Sequence, residues 1–267
     1  MSMRADCFGG IGRLYGVPMF EFLATARVAV VGIGGVGSWT AEALARSGVG
    51  TLILMDLDDI CVTNTNRQIH AMQSTVGQMK VETMAARIRD ICPETEVICL
   101  SCFYTEKNAE RLYELHPDVV VEAIDAMVPK AHLIATCCKK HIPIVTCGGA
   151  GGRKDATGIR VADLSKTQGD PLLARLRRTL RVEYGLPLGE KAKSLKIPCA
   201  FSEEKPVYPT CDGGTSCSRD PEFHGRMACD AGFGSATHIT GTFGFLMAGA
   251  VLGKLEQLAE RKRESND

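Results

Sequence analysis

Neither sign of charge prevails in this 267-residue chain: Lys+Arg and Asp+Glu each total 31. No global field draws the protein to nucleic acid or to a membrane, so any such binding must come from a local patch. The opening residues, MSMRADCFGG, lack the apolar core of a secretory signal and the arginine-rich amphipathy of a transit peptide, and a cytoplasmic address is expected. No internal repeat is visible. Among twelve cysteines there is one C-x-x-C, Cys99-Leu-Ser-Cys102, where structural zinc normally takes four ligands. Several others (Cys61, Cys92, Cys147) lie inside apolar patterns, where a free thiol packs as a small hydrophobe. A disulfide scaffold is not expected.

What is present is a regular alternation of strand and helix signals. Strands are expected at Arg27–Val31, Thr51–Met55, Glu96–Leu100, Val119–Ala123 and Ile142–Thr146. Helices are expected at Gly35–Ser47, from Gly77 to Cys92, at Asn108–Leu115 and at Val128–Lys140. The alternation implies βαβ units and a mostly parallel sheet with helices on both faces. The expected layout is an N-terminal arm and helix over 1–26, a nucleotide-binding core over 27–152, and a C-terminal extension over 153–267 in the same globular unit. Within the extension, 158–163 suits one more strand and Asp170-Pro171 a helix start. Residues 185–225 read as long loops with a short strand near Tyr208. Ala231–Gly253 carries no charge, which admits either a membrane span or a glycine-rich apolar helix packed in the core; its glycines and hydroxyl residues favour the second.

The run from Val28 to Gly37 holds G-x-G-x-x-G at Gly32, Gly34 and Gly37, with Gly35 inside it. After a strand and before a helix, this pattern lets a phosphate approach backbone N–H groups at a positive helix end. Asp56 ends the next strand about 20 residues on, where an acid reaches ribose hydroxyls, with Asp58 beside it. Asn64 follows, and then Arg67, Lys80 and Asp125, three residues for which a dehydrogenase has no use at those places. Lys80 falls in a first helical turn, where the dipole disfavours a cation unless an anion lies near; otherwise it is an ordinary surface lysine. With Arg67 it would grip β- and γ-phosphates. Asp125 follows a strand at the carboxyl edge of the sheet, as a Mg²⁺ ligand or as the cap of the next helix. The set points to adenylation of a carboxylate by ATP.

This combination resembles the ATP-dependent adenylyltransferases related to the ubiquitin-activating enzyme, including those that activate the sulfur carriers of molybdopterin and thiamine synthesis. The resemblance implies a Rossmann-like fold, with Asp56, Asn64, Arg67, Lys80 and Asp125 on ribose, phosphates and magnesium. It also implies a homodimer in which Arg13, on the N-terminal arm, enters the partner's site. Cys7-to-Gly16, Val62-to-His70, Gly148-to-Gly152, Asp163-to-Thr167, Val207-Tyr-Pro209 and Cys229-to-Gly234 look like the tRNA threonylcarbamoyladenosine dehydratases in particular. Cys7 stands where an arginine is usual there, and Ala126 where a serine is common. The paired C-x-x-C motifs of many sulfur-carrier activators are missing, which favours the tRNA subgroup.

The implied reaction begins with the threonylcarbamoyladenosine carboxylate attacking the ATP α-phosphorus and expelling pyrophosphate. A nitrogen of the same side chain then attacks the acyl-adenylate, closes a five-membered ring and releases AMP. The alternative is activation of a sulfur-carrier protein's C-terminal glycine, for which Cys229 is the first candidate nucleophile or else a packed thiol; a sulfur-transfer partner is left open. A tRNA needs a basic patch: residues 151–205 hold twelve Lys/Arg against seven Asp/Glu. Arg175, Arg177, Arg178 and Arg181 lie opposite the leucines of one expected helix, with Lys191, Lys193 and Lys196 further on. An ordinary solvated helix face is the alternative.

Overall fold

Five strands supply the centre of the fold: β1 (Arg27–Val31), β2 (Thr51–Met55), β3 (Glu96–Leu100), β4 (Val119–Glu122) and β5 (Ile144–Cys147). All are parallel, and two later strands, β6 (Ile159–Asp163) and β7 (Pro198–Ser202), extend the sheet to the order β3-β2-β1-β4-β5-β7-β6. Only β6 runs antiparallel, along β7. The structure is a computed structural model and describes residues 3–188, 194–218 and 233–265.

The central strands read as unbroken apolar runs because both sheet faces are covered. On one face Val28, Val30, Leu52, Leu54, Val119 and Val121 meet α3 (Gly35–Arg46), α4 (Lys80–Ile91) and α8 (Thr237–Glu264). On the other, Ala29, Val31, Ile53 and Val120 meet α5 (Glu110–Tyr113), α6 (Met127–Lys139) and α7 (Pro171–Tyr184). Residues 1–26 hold two helices, α1 (Met3–Tyr15) and α2 (Val17–Thr25), broken at Gly16 with φ 86°.

Three expectations need correction. The stretch 185–225, read as loops, contains β7, a strand paired on both sides, between β5 and β6. Pro198-Cys-Ala-Phe-Ser is short, comes after lysines and lacks alternation; its partners, which no local signal names, create the strand. The helix expected over 108–115 is a 3-10 turn and then the four-residue α5. The helix expected from Gly77 starts at Lys80, because Gly77 takes φ 83° in a turn and Met79 bridges Asp59 in antiparallel fashion. The expected short strand at Tyr208 pairs with Thr215–Ser216.

The apolar C-terminal stretch is a core helix. No described helix is long and apolar enough to cross a membrane. Ala231 and Gly232 lie outside the described residues. Glycine in α8 permits close approach to α3: a Cβ on Gly244 would come within 2.6 Å of Trp39 Cβ and 2.9 Å of the Val36 carbonyl. Alanine gains about 1 kcal/mol of helix propensity over glycine. Overpacking against backbone costs about 1–3 kcal/mol, so the clash should win. Gly244→Ala is therefore expected to lower the thermal midpoint by about 2–4 °C per kcal/mol of net loss. A variant melting with or above the wild type would show that α3 and α8 do not press together.

Candidate nucleotide-binding site

Strand order reverses at β1, whose neighbours are β2 on one side and β4 on the other. Ligands of open α/β sheets bind in the crevice at such a reversal, beyond the carboxyl ends of the strands. The glycine loop leaves β1 there, and its glycines do different work. Gly32 has φ 93°, and a Cβ on it would stand 2.6 Å from the Ala123 carbonyl oxygen at the exit of β4. A Cβ on Gly37 would stand 1.8 Å from the Gly32 oxygen. Those two let loop, helix and β4 pack closely. Gly35 is pressed by Thr240 and lies 3.6 Å, at its Cβ position, from Arg67 Cγ. Gly34, the cap residue of α3, has nothing within 4 Å of its Cβ position. That open space at a helix amino end suits an anion.

Asp56 is buried at the end of β2 and braces this loop. Its Oδ2 accepts the Ile33 N–H at 2.7 Å and its Oδ1 the Asp58 N–H at 2.9 Å. A carboxylate has about four lone-pair positions, so acceptor capacity remains for a ribose hydroxyl. Lys80, the first residue of α4, is 6% exposed. The anion that its position demands is Asp58, whose half-exposed carboxylate accepts from Nζ at 2.6 Å. Asn64 is buried, and its Oδ1 accepts the Cys61 N–H at 3.1 Å, closing a 3-10 turn. Arg67 is tied through its backbone: its carbonyl accepts from Trp39 Nε1 of α3 at 3.0 Å and from Thr240 Oγ1 of α8 at 3.1 Å. Its guanidinium donates to the Thr63 carbonyl and to Asn66 Oδ1.

Asp125 is exposed just past β4, and its carboxylate has no partner among the described residues. Ala126, not Asp125, caps α6, and no side chain caps that helix. The capping alternative is thereby removed. Arg13 is exposed on α1 and makes no hydrogen bond or ion pair among the described residues, so one chain alone does not join it to the others.

One buried network was not expected. Glu122, the last residue of β4, pairs with Lys130 of α6 at 2.5 Å, and neither side chain is more than 1% exposed. Thr146 of β5 donates to the same carboxylate oxygen at 2.5 Å. The other oxygen accepts the Ile124 N–H at 2.7 Å, while Lys130 Nζ donates to the Ile124 carbonyl at 3.0 Å. The pair thus clamps the residue before Asp125. Burial, the strongest single influence, would lower the Lys130 pKa, but the opposing influences, led by the charge of Glu122 and including its hydrogen bond, together hold the ammonium above its ordinary range. The available signal was a glutamate inside an apolar strand with a lysine in the next helix. A second buried acid, Asp170, caps α7 by accepting the Leu173 N–H and also receives the Gly149 N–H at 2.9 Å. Arg153 lies 3.5 Å from it. This pins the glycine-rich turn after β5.

No disulfide joins the described cysteines, and no described group of three His, Cys, Asp or Glu could hold a metal. Burial pushes the Cys99 thiol up to about 11, which suits packing and not nucleophilic attack. Cys229 lies outside the described residues.

A glycine-cornered loop, two helix amino ends and two cations at the sheet's switch point define a nucleotide-binding protein of the Rossmann-like class. The chain belongs to the ThiF family, whose model matches residues 11–263. It is 49% identical over 257 residues to a tRNA threonylcarbamoyladenosine dehydratase of Escherichia coli, covering 96% of this chain and 95% of that protein. A protein so described from Haemophilus influenzae is 46% identical over 93% of this chain and 92% of its own length. The fold matches the crystal structure of the E. coli tRNA N6-threonylcarbamoyladenosine dehydratase in complex with ATP, with TM-score 0.84, 45% identity and 96% of each chain covered.

Proposed function

We propose that this chain dehydrates threonylcarbamoyladenosine in tRNA at the expense of ATP, giving the cyclic nucleoside, AMP and pyrophosphate. The observation that carries the reading is the end-to-end likeness to dehydratases, one of them with ATP bound. The substrate carboxylate oxygen bonds to the α-phosphorus as the bond to pyrophosphate breaks. A nitrogen of the same side chain then bonds to the activated carbonyl carbon, loses its proton, and AMP departs with the carboxylate oxygen. Ring closure needs little from a base, since an intramolecular nucleophile has a high effective concentration.

Lys80 and Arg67 hold the β- and γ-phosphates, the amino end of α3 a further phosphate, and Asp56, Asp58 and Asn64 the sugar side. On binding, Lys80 shares its charge between Asp58 and phosphate. Asp125 fits magnesium, as an exposed carboxylate with no protein partner among the described residues, beside the glycine loop. The metal would neutralise charge developing on the phosphates. We place Arg13 in the site of a second copy. In support, Leu14 and Val17 beside it are 73% and 62% exposed, an apolar surface that a homodimer would cover. The thiols of the described cysteines, none of them bridged, suit a reducing, cytoplasmic setting.

The tRNA surface is assigned to α7. Leu173, Leu176 and Leu180 are buried, while Arg175, Arg178 and Arg181 stand exposed on the other side. Arg177 is half-buried and donates to Thr167 Oγ1. Lys196 is exposed, and Lys191 and Lys193 lie outside the described residues. Reversing Arg175 and Arg178 to glutamate is expected to weaken tRNA binding and to flatten its salt dependence by about 0.9 in logarithmic slope for each phosphate left without its cation. ATP affinity should not change. Filter binding across a salt series checks this, and an unaltered slope removes α7 from the interface.

The function itself is tested by mixing the protein with ATP, Mg²⁺ and tRNA with or without the modification. AMP and pyrophosphate should appear only with modified tRNA. Turnover driven instead by a carrier peptide ending in Gly-Gly would contradict the assignment.

A further inference from the structure

His70 ends the segment that carries Asn64 and Arg67, and its side chain is completely buried. Its Nε2 lies 3.1 Å from the carbonyl oxygen of Ile33 in the glycine loop. The N–H of Ile33 is held from elsewhere, by Asp56 Oδ2 at 2.7 Å. Both polar groups of this one residue are therefore taken by side chains from the chain beyond β2. A carbonyl oxygen only accepts, so the hydrogen shared with His70 belongs to Nε2. Nδ1 then carries the lone pair, and it has no partner among the described residues. Burial pushes the imidazole down to about 4, and the positive Lys80 and Arg87 push the same way, against the Ile33 carbonyl. At neutral pH the ring is an uncharged donor through Nε2.

The consequence falls on the next residue. In a planar trans peptide the carbonyl and the adjoining N–H point in opposite directions. With the Ile33 oxygen turned toward buried His70, the Gly34 N–H turns away from it. That N–H has no partner among the described residues, and it belongs to the residue whose Cβ position is open. We infer that His70 is a positioning residue: through Nε2 it locks the peptide between Ile33 and Gly34 so that the Gly34 N–H faces outward as a ready-made donor to an ATP phosphate. This rests on the ATP-binding part of the proposed function and on nothing about tRNA.

Two substitutions separate the ring nitrogens. In His70→Gln the amide nitrogen takes the place of Nε2; in His70→Asn it takes the place of Nδ1. Calorimetric titration of the full chain with ATP and Mg²⁺ should find glutamine within about threefold of the wild type and asparagine about tenfold weaker, the scale of one well-placed hydrogen bond. Affinity for tRNA should be the same in all three, which a general loosening of the fold would not produce. Asparagine binding ATP as the wild type does, or glutamine as weak as asparagine, overturns the inference. Should either variant fail to fold, the wild type decides: nitrogen-15 shifts of His70 must report the neutral Nε2–H tautomer. An Nδ1–H tautomer contradicts the inference, because Nε2 then has nothing to donate. A wild type that shows the Nε2–H tautomer and yet binds no ATP would refute the functional reading, and the phosphate role of Gly34 with it.

Discussion

Replacing Lys80 by alanine is expected to lower ATP-dependent AMP formation by about 10²–10³, the cost of removing one preorganised charge from a site where charge develops. The reason lies in its placement. A lysine that is 6% exposed at the first position of a helix faces both desolvation and an unfavourable dipole. Asp58, itself half-exposed, is the compensation that the chain supplies. Removing the ammonium leaves Asp58 open to water, so little stability should be lost. The variant should melt within a few degrees of the wild type while losing turnover, as read from AMP release and from a thermal scan. Full activity would remove Lys80 from the phosphate grip. A large drop in melting temperature would instead make it a structural lysine.

Glu122→Ala should do the reverse, with its main effect on stability. The substitution strands a buried ammonium and frees the Ile124 N–H and the Thr146 hydroxyl. Breaking a buried pair by removing one partner costs about 3–5 kcal/mol. At about 2–4 °C per kcal/mol for a chain of this size, the midpoint should fall by roughly 10 °C. Removing both charges, as Glu122→Leu with Lys130→Met, should recover much of that loss, since an apolar pair of similar volume is often neutral. The non-additivity is the signature of direct coupling. Single variants that melt with the wild type, or a double variant that loses the sum of both, would contradict the network.

Much of this architecture could be read from residues alone. The five parallel strands carry strong local signals because each is an apolar run closed by a turn, and three of them match the expected bounds at both ends. The glycine loop was legible for the same reason: strand, glycines and helix are contiguous. β7 was not, since its five residues become a strand only through β5 and β6, which are distant in sequence. The site divides along the same line. Lys80 needed an anion by the logic of helix ends, and the structure places Asp58 there. The second duty of Asp56, bracing Ile33, depends on a loop 23 positions earlier, and the bond from His70 spans 37. Residue types announce such groups, but only the fold says which loop they hold.

One chemical event is decisive for the proposed function: closure of a ring on the modified adenosine with loss of water. Mass spectrometry of the nucleosides from tRNA treated with this protein, ATP and Mg²⁺ reads it directly. Threonylcarbamoyladenosine should be replaced by a species about 18 Da lighter, the mass of the one water lost when amide formation is driven through an adenylate, in step with AMP and not at all with the Lys80→Ala protein. AMP release with an unchanged nucleoside would contradict the dehydratase function, because adenylation would then serve some other carboxylate.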